Sequence, residues 1–450
     1  MGRMFGTDGV RGVANRELTA EMAFRLGQAG AIILSQENRH KPTILIGKDT
    51  RISCDMLEGA LISGICSVGA NAVSLGVIPT PAVSYLTCKY GADAGIVISA
   101  SHNSFEFNGI KFFNYQGYKL PDETEGKIEA LIAQALPEPS ERPVGVDIGR
   151  HSVSDTAKED YIEHLLSEAT PELSGFKIAL DCANGASFEV APMLFKKLGA
   201  NVSVIHAEPD GLNINHQCGS THLESLIEFT RKTGAHVGFA FDGDADRLLV
   251  VDEFGNVVDG DAIMAMIAID LKKQGRLVKN TLVATVMSNL GLEITAKREG
   301  FSLLRTAVGD RYVLEEMVRS GYSLGGEQSG HIICLETNTT GDGLQTALCV
   351  MRILANGDHK MSDLAKVVET LPQVLRNAKV STEKKDGFLD DPVISQKCRE
   401  LEELFHGEGR TLIRPSGTEP LVRVMIEGKD QQLLNEKADE LVKIIEERLA

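Results

Sequence analysis

Short apolar runs, each followed by small or polar residues and then by helix-forming sequence, recur along the chain at Thr43–Ile46, Gly95–Ile98, Lys177–Leu180, Val237–Phe241 and Leu282–Val286. A strand that is apolar throughout is buried on both faces, and strands separated by helical stretches pair in parallel beneath covering helices. That alternation confines the chain to α/β architecture. Its 450 residues exceed what one hydrophobic core organises, so three or four domains are expected. Pro137 to Ser154, rich in Pro, Gly and charge, reads as a first linker, and Thr370-Leu-Pro372 interrupts helical sequence farther on. The spacing predicts a helix over Thr19–Leu34 with Thr19 as its N-cap. The tail from Gln431 places Leu434, Ala438, Leu441 and Ile445 on one helical face. With strand candidates at Thr411–Ile413 and Leu421–Ile426, it indicates a smaller α+β unit.

Charge and cysteines exclude several functions. A net charge of −17 opposes non-specific nucleic-acid binding, and no G-x-G-x-x-G or Walker-type segment follows a strand candidate. Eight scattered cysteines without a C-x-x-C pair read as reduced thiols of a cytoplasmic protein rather than a zinc site. Gly59 to Cys88 is uncharged, but its glycines and prolines fit a helix, a turn and a strand better than a membrane span, so no membrane partner is expected.

Four polar segments interrupt this framework. Gly95-Ile-Val-Ile-Ser-Ala-Ser-His-Asn-Ser104 delivers Ser101 and His102 from the end of a strand, with Lys111 shortly downstream. Strand ends of open α/β sheets are where ligands sit, and a hydroxyl there suits a nucleophile or phosphate carrier. Asp242-Gly-Asp-Ala-Asp-Arg247 sets three carboxylates at alternate positions directly after Val237–Phe241. Such crowding of like charge calls for a cation. Glu253 falls where a calcium loop would have its last ligand, but Arg247 stands where that loop needs Gly, so Mg²⁺ is favoured. Gly325-Gly-Glu-Gln-Ser-Gly-His331 presents Glu327 and Ser329 on a tight loop, as either a sugar-binding element or a structural turn. Arg414-Pro-Ser-Gly-Thr-Glu-Pro420 and Arg423 combine planar cations with Ser416, Gly417 and Thr418, a set suited to an anion-binding nest.

These four segments, in this order, resemble those of the α-D-phosphohexomutases, and the resemblance covers essentially the whole chain. Phe5-Gly-Thr-Asp-Gly-Val-Arg-Gly12, Gln328, Asp210-Gly-Leu-Asn-Ile-Asn215 and Cys218-Gly-Ser-Thr221 are most similar to members acting on glucosamine phosphates. The resemblance implies three similar α/β domains with mixed, largely parallel sheets and a smaller C-terminal α+β domain around a central cleft. The expected limits are 1–153, 154–254, 255–369 and 370–450. It implies an isomerase that interconverts glucosamine 6-phosphate and glucosamine 1-phosphate, feeding UDP-N-acetylglucosamine and peptidoglycan precursors. Ser101 would be the phosphoserine and, with Asp242, Asp244 and Asp246, would bind Mg²⁺. Glucosamine 1,6-bisphosphate would be both activator and intermediate. Arg11 and Arg247 would face the transferring group, Glu327 and Ser329 the sugar, and Arg414, Ser416, Gly417, Thr418 and Arg423 the phosphate that does not react. The acid/base role stays open between His102 and Lys111, the latter only if its pKa is depressed; Arg51 is a further contributor to that pocket. Hexosamine phosphates are the implied partners, with a homodimer possible on family grounds. Action on glucose or mannose phosphates and a non-catalytic sugar-phosphate sensor are the alternatives. A phosphatase with an aspartate nucleophile would leave Ser101 without a purpose.

Overall fold

A computed structural model describes residues 4–6, 8–35, 40–134, 136–167, 171–357, 359–405, 408–416 and 419–449. The chain forms two compact units, Met1–Thr285 with Leu304–Val367, and Val286–Leu303 with Val368–Ala450.

In the first unit, a six-stranded sheet runs in the order Val10–Val13, Phe107–Asn114, Ala94–Ile98, Thr43–Lys48, Asn71–Val77, His151–Val153. The last four strands are parallel, and the first two are antiparallel to their neighbours. Every residue of Ala94–Ile98 is buried, as its unbroken apolar run predicts. The expected linker is partly structured: His151–Val153 joins the sheet beside Asn71–Val77. No alternation announces this strand because all three of its residues are exposed. Thr19 caps the helix Ala20–Leu34 by accepting from Met22 N.

A five-stranded sheet follows in the order Val257–Val258, Leu248–Asp252, Val237–Phe241, Lys177–Asp181, Asn201–Ile205. A four-stranded sheet has the order Ser302–Thr306, Thr281–Thr285, Leu324–Gly326, Ile332–Cys334. One device is common to these three sheets. A strand parallel to its neighbour ends in a loop, and the chain returns antiparallel beside it. The returns are Ala94–Ile98 to Phe107–Asn114, Val237–Phe241 to Leu248–Asp252, and Leu324–Gly326 to Ile332–Cys334. The loops between them carry the Ser101, Asp242 and Glu327 segments.

The second unit holds an antiparallel sheet, Gln373–Lys379, Leu421–Glu427, Arg410–Pro415. The helices Pro392–Phe405 and Gln431–Leu449 cover it, with Leu434, Ala438, Leu441 and Ile445 buried as their spacing predicts. Val286–Leu303 groups with this sheet in the second compact unit. Among the described residues no helix is long and apolar enough to cross a membrane.

Candidate active site

Ser101 stands just past the buried strand Ala94–Ile98, itself 2% exposed and left-handed with φ 51°. A non-Gly residue adopts this conformation only when its surroundings impose it. Here Ser101 N donates to Ser99 Oγ at 2.9 Å, and Arg51 Nη2 donates to the carbonyls of Ser101 and Asn103, both at 2.9 Å. Arg51 Nη1 also reaches the carbonyls of Ser104 and Phe107, and Nε pairs with buried Asp49 at 2.9 Å. Asn215 Nδ2 binds the same Ser101 and Asn103 carbonyls at 2.8 and 2.9 Å. Arg51 is therefore a positioning residue whose guanidinium is engaged by the loop backbone.

The Ser101 hydroxyl donates to Asp242 Oδ2 at 2.6 Å. Asp242, Asp244 and Asp246 are buried and offer one carboxylate oxygen each within 4.8 Å of one another. Burial, then Asp246 and Asp244, push the Asp242 carboxyl well above its ordinary range. Asp244 is also pushed up by burial, but the Lys111 ammonium overrides this and holds it below the ordinary value. Among the described residues, Asp244 Oδ1 and Asp246 Oδ1 are buried without a hydrogen-bond partner, although His331 Nδ1 and Arg247 Nε face the latter at 3.5 and 3.9 Å. Hard oxygen donors, mutual repulsion and an orphaned carboxylate oxygen fit a divalent cation of the Mg²⁺ type.

Lys111 is 1% exposed and lies 2.8 Å from Asp244 and 2.9 Å from Asp8. Burial would lower its pKa, yet Asp244, Asp8 and Asp246 outweigh that and raise it. The condition for Lys111 to act as a base, a depressed pKa, is thus not met here. His102 Nδ1 is 3.4 Å from Ser101 Oγ; burial, then Arg247 and Arg11, lower this imidazole to about 4, so it is neutral near pH 7. Arg11 pairs with Asp8 and stays partly exposed. Arg247 N donates to Asp242 Oδ1 at 3.2 Å, and its side chain keeps 23% exposure.

The sugar-type loop joins the metal loop through backbone. Arg247 and His331 form an isolated antiparallel bridge, and Leu248 N donates to the Gly330 carbonyl at 3.0 Å. Gly330, at φ 93°, packs so closely that a Cβ would lie 2.2 Å from Leu248 O. Glu327 accepts from Gly309 N at 3.2 Å and from the Ser329 hydroxyl at 3.4 Å. The Gln328 amide donates to Asp259 at 3.1 Å, so it anchors the loop to the N-cap of helix Gly260–Lys273.

In the second unit, Arg414 and Arg423 sit opposite each other on paired strands. Burial and the Arg423 charge lower the Arg414 pKa, while Arg423 itself faces Glu419 at 3.4 Å. Ser416 is buried and its carbonyl accepts from Lys385 Nζ at 2.8 Å, adding a cation that no sequence motif marked. Gly417 and Thr418 lie outside the described residues.

Sequence reasoning also passed over Thr80, Asp8 and His331. Thr80 Oγ1 donates to Asp244 Oδ2 at 2.7 Å from the start of the helix Thr80–Lys89, and no motif surrounds it. Asp8 and His331 lie inside segments singled out for other residues. Ser101, His102, Lys111, Arg11, Arg247, Glu327, Ser329 and the three aspartates all belong to the first unit, whereas Arg414, Ser416 and Arg423 belong to the second.

Relatives are consistent along the whole chain. A phosphoglucosamine mutase of Ruminiclostridium cellulolyticum is 62% identical over 450 residues, covering 100% of both chains. One of Acetivibrio thermocellus is 60% identical, again with 100% of both covered. A solved phosphoglucomutase/phosphomannomutase family protein from Burkholderia thailandensis superposes with TM-score 0.83 at 22% identity, over 100% of this chain and 98% of its own. The N-acetylphosphoglucosamine mutase of Aspergillus fumigatus, solved with GlcNAc-6P and magnesium, gives 0.69 at 17% identity, over 99% and 96%. These two show the shared fold. Profiles for phosphoglucomutase/phosphomannomutase alpha/beta/alpha domains I, II and III match residues 2–138, 159–255 and 259–371, and that for the C-terminal domain matches 375–444. With four domains matched in order and identity above half to full-length relatives, the chain belongs to the phosphoglucomutase/phosphomannomutase family.

Proposed function

We propose that this chain catalyses the phosphoglucosamine mutase reaction, interconverting glucosamine 6-phosphate and glucosamine 1-phosphate for UDP-N-acetylglucosamine and peptidoglycan synthesis. The observation that carries it is the buried Ser101 hydroxyl, 2.6 Å from Asp242 within a cluster of three carboxylates. The substrate assignment is supported by relatives at 55–62% identity that bear this activity in their names.

In this reading Ser101 cycles between hydroxyl and phosphoserine. The bond from Ser101 Oγ to phosphorus breaks as a sugar hydroxyl oxygen takes the phosphoryl group, giving glucosamine 1,6-bisphosphate. After the sugar turns over, Oγ takes back the other phosphate. His102, neutral and beside Oγ, would pass the sugar hydroxyl proton to the departing Ser101 Oγ in the first transfer and the Ser101 hydroxyl proton to the departing sugar oxygen in the second. Lys111 remains an ammonium and, with Arg11 and Arg247, faces the charge of the transferring group. Asp242, Asp244 and Asp246 would hold Mg²⁺, which when bound neutralises phosphoryl oxygens. Glu327 and Ser329 would accept and donate bonds to sugar hydroxyls in both orientations. Arg414, Ser416 and Arg423, with Gly417 and Thr418, would grip the phosphate that does not react. The domain limits stay at 1–153, 154–254, 255–369 and 370–450, with hexosamine phosphates as partners of a homodimer.

A ³¹P NMR time course with protein, Mg²⁺, glucosamine 6-phosphate and a trace of the 1,6-bisphosphate tests this. The 1-phosphate resonance should grow in, and Ser101→Ala should slow it by at least ~10³-fold while leaving the circular dichroism unchanged. Unimpaired conversion by Ser101→Ala would remove the serine from the mechanism. Equal kcat/KM on glucose 6-phosphate would remove the amino-sugar assignment.

A further inference from the structure

The second sheet carries another donor set, at the carboxyl ends of two adjacent parallel strands. Asp181 ends the strand Lys177–Asp181, His206 follows Asn201–Ile205, and Cys218 precedes the turn Gly219–Thr221. A carboxylate oxygen, a ring nitrogen and the thiol sulfur from these three residues lie within 4.8 Å of one another. Asp181 and Cys218 are fully buried, while the His206 side chain keeps 28% exposure.

Packing explains part of the cluster. Asp181 accepts from Ala183 N and Gly219 N, both at 2.9 Å, and so holds two loops together. A buried thiol is ordinary filling. Neither accounts for the imidazole. His206 Nδ1 lies 3.1 Å from Asp181 Oδ1 as an ion-pair contact and has no other partner among the described residues. It is brought there by a residue in the left-handed region, φ 49°, whose carbonyl is tied to Asn184 N at 2.7 Å.

We propose that Asp181, His206 and Cys218 form a second cation site, selective for ions of the Zn²⁺ class and distinct from the Asp242 triad. One oxygen, one nitrogen and one sulfur are a donor set that Zn²⁺ accepts and Mg²⁺ does not. Three protein ligands leave a fourth tetrahedral position for water, and the exposed edge of His206 gives the ion its entry. On binding, the Cys218 S–H bond breaks, the sulfur becomes a thiolate ligand and one proton leaves to solvent. Without the ion, burial and Asp181 push this thiol up to about 12, and a dication beside it reverses that preference.

The site also touches the frame of the Ser101 loop. Asn215, three residues before Cys218, donates from its backbone to the Ala183 carbonyl at 2.9 Å and from its side chain to the Ser101 carbonyl at 2.8 Å. Gly219 packs so tightly that a Cβ would lie 2.6 Å from the carbonyl of Phe241, the residue before Asp242. An ion at Cys218 therefore fixes backbone that supports both the serine and the metal loop.

The test is a Co²⁺ titration of the full chain with Mg²⁺ in large excess to fill the triad, read by absorbance. A saturable sulfur-to-cobalt charge-transfer band in the near ultraviolet is expected. Cys218→Ser should abolish the band, and His206→Gln, at a partly exposed position, should weaken Co²⁺ binding by at least ~10-fold with unchanged circular dichroism. The proposal is overturned by the absence of a band in the wild-type protein, by a band that survives Cys218→Ser, or by unaltered affinity in His206→Gln. Zn²⁺ competing the band away from the wild-type chain would support it, and failure to compete would refute the stated selectivity.

Discussion

The guanidinium of Arg51 donates to the main-chain carbonyls of Ser101, Asn103, Ser104 and Phe107 and pairs with Asp49, with neither charged side chain exposed. These bonds offset a left-handed conformation at Ser101 that costs about 1–3 kcal/mol on its own. Arg51→Met is therefore expected to act twice. It leaves Asp49 buried without its cation, a loss of about 3–5 kcal/mol that a denaturant titration would show. It also frees the serine to drift, which lowers kcat by ~10²-fold at little change in KM. Arg51→Lys should recover part of the stability but little of kcat, because one ammonium cannot reach so many carbonyls. Gly243 makes the complementary case: a Cβ there would lie 2.5 Å from the Ser101 carbonyl, main chain against main chain. Gly243→Ala should depress kcat more than ~10-fold and lower stability by about 1–3 kcal/mol, measured on the same two instruments. An unchanged kcat would mean that this approach does not position Ser101. Arg51 was visible in the sequence as a member of the pocket, but its role was not. Carbonyl partners belong to every residue type and leave no trace in side-chain patterns.

At the scale of elements, the strands that were legible are those buried throughout, such as Ala94–Ile98 and Val237–Phe241. His151–Val153 is too short and exposed, and Leu324–Gly326 is mostly glycine, so neither carries an apolar period. The return loops after these strands were readable as motifs because their residue types are chemically unusual where they stand. Their supports were not: Thr80 reaches Asp244 from a helix start in a different part of the chain, and Asn215 reaches Ser101 from another loop. The metal loop brings its own prediction. Three buried carboxylates repel one another, and Lys111 offsets only part of that charge, so a divalent cation should stabilise the fold. Mg²⁺ at a hundred times its Kd should add about 2.7 kcal/mol by mass action, seen as a rise in Tm that chelation reverses. Asp246→Asn should shrink that rise by weakening Mg²⁺ binding while raising the metal-free Tm through relief of repulsion. A Tm insensitive to Mg²⁺ in the wild-type chain would count against the triad as a metal site.

At the scale of the whole molecule, the breaks seen in the sequence and the compactness of the structure divide the chain differently. Proline and glycine mark where helical sequence stops, which is how Thr370-Leu-Pro372 drew attention. Compactness follows contacts instead, and it places Val286–Leu303 with Val368–Ala450. The reason is a set of polar staples at the start of the helix Leu290–Glu299. Its N-cap Asn289 exchanges hydrogen bonds with Leu371, donating to the carbonyl and accepting from the amide, both at 3.0 Å, and donates to buried Glu427 at 3.2 Å. Arg410 donates to the Ser288 carbonyl and pairs with Glu427, each at 2.6 Å. Gly291 packs so closely that a Cβ would lie 2.1 Å from the Glu369 carbonyl. Bonds of this kind, to main chain and between residues far apart in sequence, have no periodicity from which to be read. They make a prediction about cooperativity, since contiguous cooperative units open together. In hydrogen exchange read by mass spectrometry, amides of Leu290–Glu299 should exchange with the same opening free energy and denaturant dependence as those of Gln373–Lys379 and Leu421–Glu427. Asn289→Ala should lower the protection of all three segments together. Exchange of the helix in step with Thr281–Thr285, its neighbour in sequence, would show instead that the chain's domain limits and its cooperative units coincide.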